Sequence, residues 1–172
     1  MGYKFEVIPA DIDEKSIRRK KPGDLVLKLA HAKATAILSR IPKEKALLIT
    51  SDQVVVCRGI IREKPVNAEE VFSLFRIYGE EPATTVTGVV VTDVMSRTRM
   101  SGVDKATIYF KRVPHRIVEM YLATKNPFLH AGGFDHRHHM INPYVRKIEG
   151  ELDSIIGLPP ELTKRLMNVF LR

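Results

Sequence analysis

Ala46-Leu47-Leu48-Ile49-Thr50-Ser51-Asp52-Gln53-Val54-Val55-Val56-Cys57 is a pair of apolar runs divided by a short polar step. Ala46 to Thr50 has the continuous apolar character of a buried strand, and Gln53 to Cys57 resumes it, so the strand is expected to open out near Asp52. Arg58-Gly59 then marks a turn before Ile60-Ile61. Upstream, Val26, Leu29, Ala30, Ile37 and Ile41 recur at helical spacing between Asp24 and Ile41, with Gly23-Asp24 as a cap and Pro42 as the stop. A helix feeding a buried strand points to an α/β fold.

Working outward, Tyr3 to Pro9 alternates like a short strand, which Asp11-Ile12-Asp13-Glu14 ends. Asn67 is placed to cap a helix running to about Tyr78, with Glu70 at the capping-box position and Gly79 at the end. Thr84 to Val94 and Val103 to Val113 read as long antiparallel strands, joined through Ser96-Arg97-Thr98-Arg99. Pro114 suits the first position of another helix, and Pro159-Pro160 opens a last one with Leu162, Leu166, Val169 and Phe170 inward. The stretch between them is irregular and rich in Gly and His. Early alternation of helix and strand with a hairpin in the middle predicts a mixed sheet with helices on its faces.

The 172 residues, 44% of them hydrophobic, suit one globular domain spanning 1–172. No apolar run is long enough to cross a bilayer, and the opening residues lack the layout of a secretory signal, so a cytoplasmic protein is expected. The lone Cys57 lies in a β-branched run and reads as a buried strand thiol. The net charge of +8 favours polyanionic partners without choosing among them. Its densest contribution, Arg18-Arg19-Lys20-Lys21, reads as a solvated loop, and no motif for specific nucleic-acid recognition accompanies it.

Lys33 lies four residues after Leu29 and four before Ile37, on an otherwise apolar stripe. Such an ammonium either snorkels or pairs with a structural carboxylate, or else binds phosphate. Asp52 follows buried strand, where a carboxylate can hold a metal or orient water; the plainer alternative is a turn aspartate. Glu14 closes an acidic stretch that by default is solvated. Lys64, held extended by Pro65, can project over a cleft. His130, His136, His138 and His139 lack the accompanying cysteine or His-x-x-x-His pair of a zinc site.

Gly2-Tyr3-Lys4-Phe5-Glu6-Val7, Ala10-Asp11-Ile12-Asp13-Glu14, Leu29-Ala30-His31-Ala32-Lys33-Ala34 and Ser51-Asp52-Gln53-Val54-Val55 together resemble the Maf family. The likeness continues through Glu63-Lys64-Pro65, Ala83 to Val89, Ala131-Gly132-Gly133-Phe134, Ile148-Glu149-Gly150 and Ile156-Gly157-Leu158-Pro159. It implies an elongated mixed sheet flanked by helices with a central cleft, as in inosine-triphosphatase-like proteins. It also implies hydrolysis of nucleoside triphosphates, including non-standard or modified ones, to monophosphate and pyrophosphate with Mg or Mn. On this resemblance Asp52 and Glu14 are the catalytic and metal-holding carboxylates, and Lys33 and Lys64 bind phosphate. Gln53, following the aspartate, resembles members that prefer 7-methyl-GTP. Arg137 stands about where the family carries a base-contacting Gln or Glu, and an arginine cannot accept a hydrogen bond from a base.

The family's first strand and its Ser-rich phosphate loop have no counterpart before Met1 in this sequence. Two expectations follow: a catalytically impaired nucleotide-binding or scaffold protein as the alternative to an enzyme, and a homodimer formed at the sheet edge so exposed.

Overall fold

The computed structural model describes residues 4–171. Four helices and five strands follow in the order α1 (Pro22–Leu38), β1 (Leu47–Cys57), β2 (Ile60–Arg62), α2 (Ala68–Tyr78), β3 (Ala83–Asp93), β4 (Arg99–Phe110), α3 (His115–Ala123), β5 (Val145–Glu149) and α4 (Pro160–Met167). The strands form one sheet in the order β2-β1-β3-β4-β5. This is the expected mixture of helix and sheet. Within the sheet both edge strands pair antiparallel, β2 with β1 and β5 with β4. The chain divides into two compact units, one built from 1–53, 87–104 and 156–172, the other from 54–86 and 105–155.

In the first unit, the alternation of side chains along β3 assigns a helix to each face. Val89 and Val91 pack with Leu162, Leu166 and Met167 of α4, whereas Val90 packs with Ala30 and Ala34 of α1. Gly88, on the α1 side, lets backbone meet backbone. A Cβ there would come within 2.7 Å of the Val26 carbonyl carbon and 2.8 Å of the Leu27 nitrogen. The small residues of α1 and Gly88 together bring the helix close to the sheet.

The second unit has its own core: Val71, Leu74, Phe75 and Tyr78 of α2 and Val118 and Tyr121 of α3 pack with Val55, Ala106, Ile108 and Phe110. Asn67 caps α2 by accepting a hydrogen bond from the Glu70 N–H at 2.9 Å, and Glu70 reaches back to the N–H of Val66 at 3.0 Å. The capping signal was therefore read correctly, with the return bond one residue earlier than a standard capping box. The buried Tyr78 hydroxyl donates to the Gly132 carbonyl at 2.8 Å, fixing the glycine-rich loop. Arg58 and Gly59, with φ of 53° and 73°, form the two-residue turn between β1 and β2.

Several expectations need correction. Ser51 and Asp52 lie inside one continuous strand β1, so Asp52 is neither a turn residue nor at a strand end. The two apolar runs are halves of a single strand because the polar step between them is satisfied by tertiary partners. The strand expected over Tyr3–Pro9 does not form in its described part; residues 4–9 carry no regular structure, and Phe5 and Val7 are exposed. Tyr3, with the Gly2-Tyr3 start of the family likeness, lies outside the described residues. α1 starts at Pro22 rather than after a Gly23-Asp24 cap and stops at Leu38, ahead of Ile41 and Pro42. Pro114 is the N-cap of α3, not its first residue. Val169 lies beyond α4 and is exposed. The segment read as irregular contains β5, whose charged Arg146, Lys147 and Glu149 obscured it. Cys57 is a buried free thiol, as expected. No described helix is long and apolar enough to cross a membrane.

Candidate functional site

Lys33 projects from the middle of α1 toward β1, the strand that the close approach at Gly88 and Ala34 brings within reach. Its ammonium lies 2.6 Å from Asp52 Oδ1 and 2.8 Å from Glu14 Oε1, with the Ser51 carbonyl at 3.5 Å. The Asp52 side chain is 10% exposed, Lys33 20% and Glu14 53%, so the cluster grades from interior to solvent. Burial alone would push the Lys33 pKa down, but the hydrogen bonds and charges of Asp52 and Glu14 outweigh it and hold the pKa above its usual value. The ammonium stays charged.

Each member of the cluster is positioned separately. Thr50, one strand step before Ser51, is buried and donates to the Ala30 carbonyl at 2.8 Å, tying β1 to α1 beside the site. Glu14 begins a short 3-10 turn that Asp13 caps by accepting from the Lys15 N–H at 3.1 Å. The segment leading to it is held by Arg40, just beyond α1, which bonds Asp11 Oδ2 at 2.9 Å and also donates to the Pro9 carbonyl. A concavity of about 490 Å³ is lined by Lys33, Glu14, Ser51, Thr50, Val7, Ile8 and the stretch Ala10-Asp11-Ile12. Gln53, next to Asp52, donates through Nε2 to Thr87 Oγ1 at 2.7 Å and faces Gly157.

Sequence reasoning thus identified residues that meet: Asp52, Glu14 and Lys33 form one charged cluster in the first unit, where Gln53 also lies. Lys64 and Arg137 belong to the second unit. Lys64 is exposed between β2 and α2, and Arg137 is exposed and bonded to Asp135, with Nε to Oδ1 at 3.1 Å. Burial works against the ionised Asp135, but its bonds to Arg137 win and lower its pKa. The Arg40 clamp and the Thr50 bond were missed. Nothing in local spacing connects Arg40 to Asp11 or Thr50 to Ala30, so only the tertiary fold reveals them.

The donors present are hard oxygens: two carboxylates and a peptide carbonyl within reach of one cation. Such a set fits Mg²⁺ or Mn²⁺, which take one or two carboxylates and complete their shell with water and substrate phosphate oxygens. Among the described residues no group of three or more His, Cys, Asp and Glu side chains forms a ready-made cage. Asp52 and Glu14 would hold such an ion in place of the Lys33 ammonium they now share.

A helix-flanked sheet presenting a lysine between two carboxylates is an α/β arrangement with one charged cluster on it. The sequence pattern of the family described as Maf-like protein matches residues 1–170, and the chain belongs to that family. It is 36% identical over 174 residues to the 7-methyl-GTP pyrophosphatase of Dictyostelium discoideum, covering 98% of this chain and 87% of that protein. It is 32% identical over 155 residues to the 7-methyl-GTP pyrophosphatase of Idiomarina loihiensis, covering 90% and 78%. The dTTP/UTP pyrophosphatase of Alkaliphilus metalliredigens is 31% identical over 159 residues, covering 92% and 81%. Enzymes so named are hydrolases acting on phosphoric anhydrides.

Proposed function

We propose that this chain hydrolyses nucleoside triphosphates to the monophosphate and pyrophosphate, using Mg²⁺ or Mn²⁺, at the cluster of Asp52, Glu14 and Lys33. The observation that carries the reading is the Lys33 ammonium shared between two carboxylates, in a family whose named relatives are pyrophosphatases.

The reaction forms a bond between water oxygen and the α-phosphorus and breaks the bond from that phosphorus to the oxygen bridging toward the β-phosphorus. Pyrophosphate leaves with that oxygen. Asp52 orients the water and accepts its proton, with Glu14 supporting the same space. Lys33 exchanges its carboxylate partners for phosphate oxygens and offsets the charge gathering there. The divalent cation, when bound by Asp52 and Glu14, supplies Lewis-acid neutralisation of the phosphates.

Among substrates 7-methyl-GTP is proposed first. Support comes from Gln53 after the aspartate and from the names of the Dictyostelium and Idiomarina relatives. The test is pyrophosphate release from 7-methyl-GTP, dTTP, UTP and the standard triphosphates with each metal, with Asp52→Asn as control. Release that the substitution abolishes is expected. No release from any nucleotide with either metal refutes the reading.

A further inference from the structure

The stripe of α1 that carries Lys28, His31 or Ala32, and Thr35 follows the three- and four-residue spacing of one helix face. Lys33 is two residues from His31, about 200° around the helix, so this stripe is distinct from the catalytic one. It lines a second concavity, of about 530 Å³, together with Ala36, Ser39 and Arg99 of β4. All of these residues belong to the first unit.

Among the described residues the lining holds three basic side chains, Lys28, His31 and Arg99, and no carboxylate. Arg99 is fixed in place: Nη1 donates to the His31 carbonyl at 3.3 Å and Nη2 to Thr35 Oγ1 at 3.0 Å. A guanidinium has five N–H donors, so this anchoring leaves donors for a ligand in a set orientation. Lys28 adds an exposed ammonium, while Ala32 and Ala36 leave room between the cations. Burial, then the charges of Arg99 and Lys28, hold the His31 imidazole below its usual pKa. Three basic groups thus share one concavity whose lining, among the described residues, includes no carboxylate.

We propose that this concavity binds a small phosphate-class oxyanion, inorganic phosphate or pyrophosphate, through Lys28, His31 and Arg99. Arg99 supplies planar, oriented donors, and Lys28 and protonated His31 supply the remaining charge. The site is independent of the hydrolytic reading, since none of its residues belongs to the Asp52 cluster.

The test follows the His31 ring by nuclear magnetic resonance while the full chain is titrated with sodium phosphate or pyrophosphate at constant ionic strength. A saturable shift is expected, with a rise in the His31 pKa, because a bound anion favours the charged ring. Lys28→Gln and Arg99→Gln should each weaken binding about tenfold, the scale of one charge-assisted contact. Lys33→Gln should leave the His31 response intact, separating this site from the catalytic one. Lys28 is exposed, so its variant carries the test even where loss of the Arg99 anchors harms folding. Absence of a His31 shift with either anion overturns the proposal, as does a shift that Lys28→Gln leaves unchanged. A single-stranded oligonucleotide that produces the same shift at lower concentration than pyrophosphate overturns the assignment to a small anion.

Discussion

Replacing Lys33 by Met retains an unbranched stem of similar size and removes only the charge, leaving two carboxylates facing each other without their cation. Removing one partner of a fully buried pair costs about 3–5 kcal/mol, whereas an exposed pair is worth about 0–1. Asp52, 10% exposed, lies near the first limit and Glu14, 53% exposed, near the second. With Lys33 itself partly solvated, the expected loss is about 2–3 kcal/mol, or a melting temperature lower by roughly 4–12 °C for a chain of this size. Urea denaturation of Lys33→Met, Asp52→Asn and the double variant supplies the cycle, with a coupling of about 1–2 kcal/mol expected. Glu14→Gln should cost under about 1 kcal/mol. The pH dependence has a fixed sign. Because the folded chain holds the Lys33 proton more tightly than the unfolded one, this stabilisation is complete below the unfolded value of 10.5 and is lost as pH rises through the higher folded value. Strictly additive single variants, or a Lys33→Met loss below about 0.5 kcal/mol, would mean that the ammonium and Asp52 are neighbours without being energetically coupled.

Asp52→Asn should lower pyrophosphate release by about 10²–10⁴-fold while leaving the far-ultraviolet circular dichroism unchanged, and retention of full turnover would remove Asp52 from the chemistry. Gly88→Ala should destabilise by about 1–3 kcal/mol, because the nearest atoms to the new methyl are backbone, 2.7–2.9 Å away, and cannot swing aside; an unchanged melting temperature would contradict that contact. Tyr78→Phe should cost about 1–3 kcal/mol in urea denaturation by stranding the Gly132 carbonyl, and a neutral result would show that the carbonyl finds another donor. His31, His130 and His136 all have lowered pKa values, with burial the leading cause, so the unfolded chain takes up their protons first. Stability should therefore fall as pH drops through the unfolded value of 6.5 toward the folded values, and a flat melting profile over that window would contradict the burial.

The hairpins and several helix ends were legible because each announces itself locally: Asn67 with Glu70, Arg58-Gly59 and Pro160 act within a few residues of chain. Asp52 was singled out through its surroundings in sequence and misplaced in secondary structure. Ser51-Asp52 looks like an interruption, yet Thr50 bonds Ala30, Asp52 bonds Lys33 and Gln53 bonds Thr87, all partners far along the chain. Alternation failed in the opposite sense at residues 4–9, where the strand pattern exists without a strand. Phe5 and Val7 are exposed there, so period-two spacing alone did not supply a surface to pair with. β5 was hidden because an edge strand with Arg146, Lys147 and Glu149 has only Val145 and Ile148 to mark it. For the site, Lys33 carried a real signal, a charge on an apolar stripe, whereas its two carboxylate partners lie far along the chain and could be seen only in three dimensions.

The contact at Gly88 reaches beyond packing. Val26 and Lys33 are seven residues apart on α1, about two turns or 10 Å along the axis, and Gly88 is one residue from the Thr87 that Gln53 holds. The gap across which Lys33 meets Asp52 is therefore gauged by peptide groups touching peptide groups, which do not change rotamer. A wider residue at position 88 acts as a shim: it would lift the helix and lengthen the ammonium–carboxylate distance at a remove, so part of this site's calibration is stored in an amino acid that has no side chain.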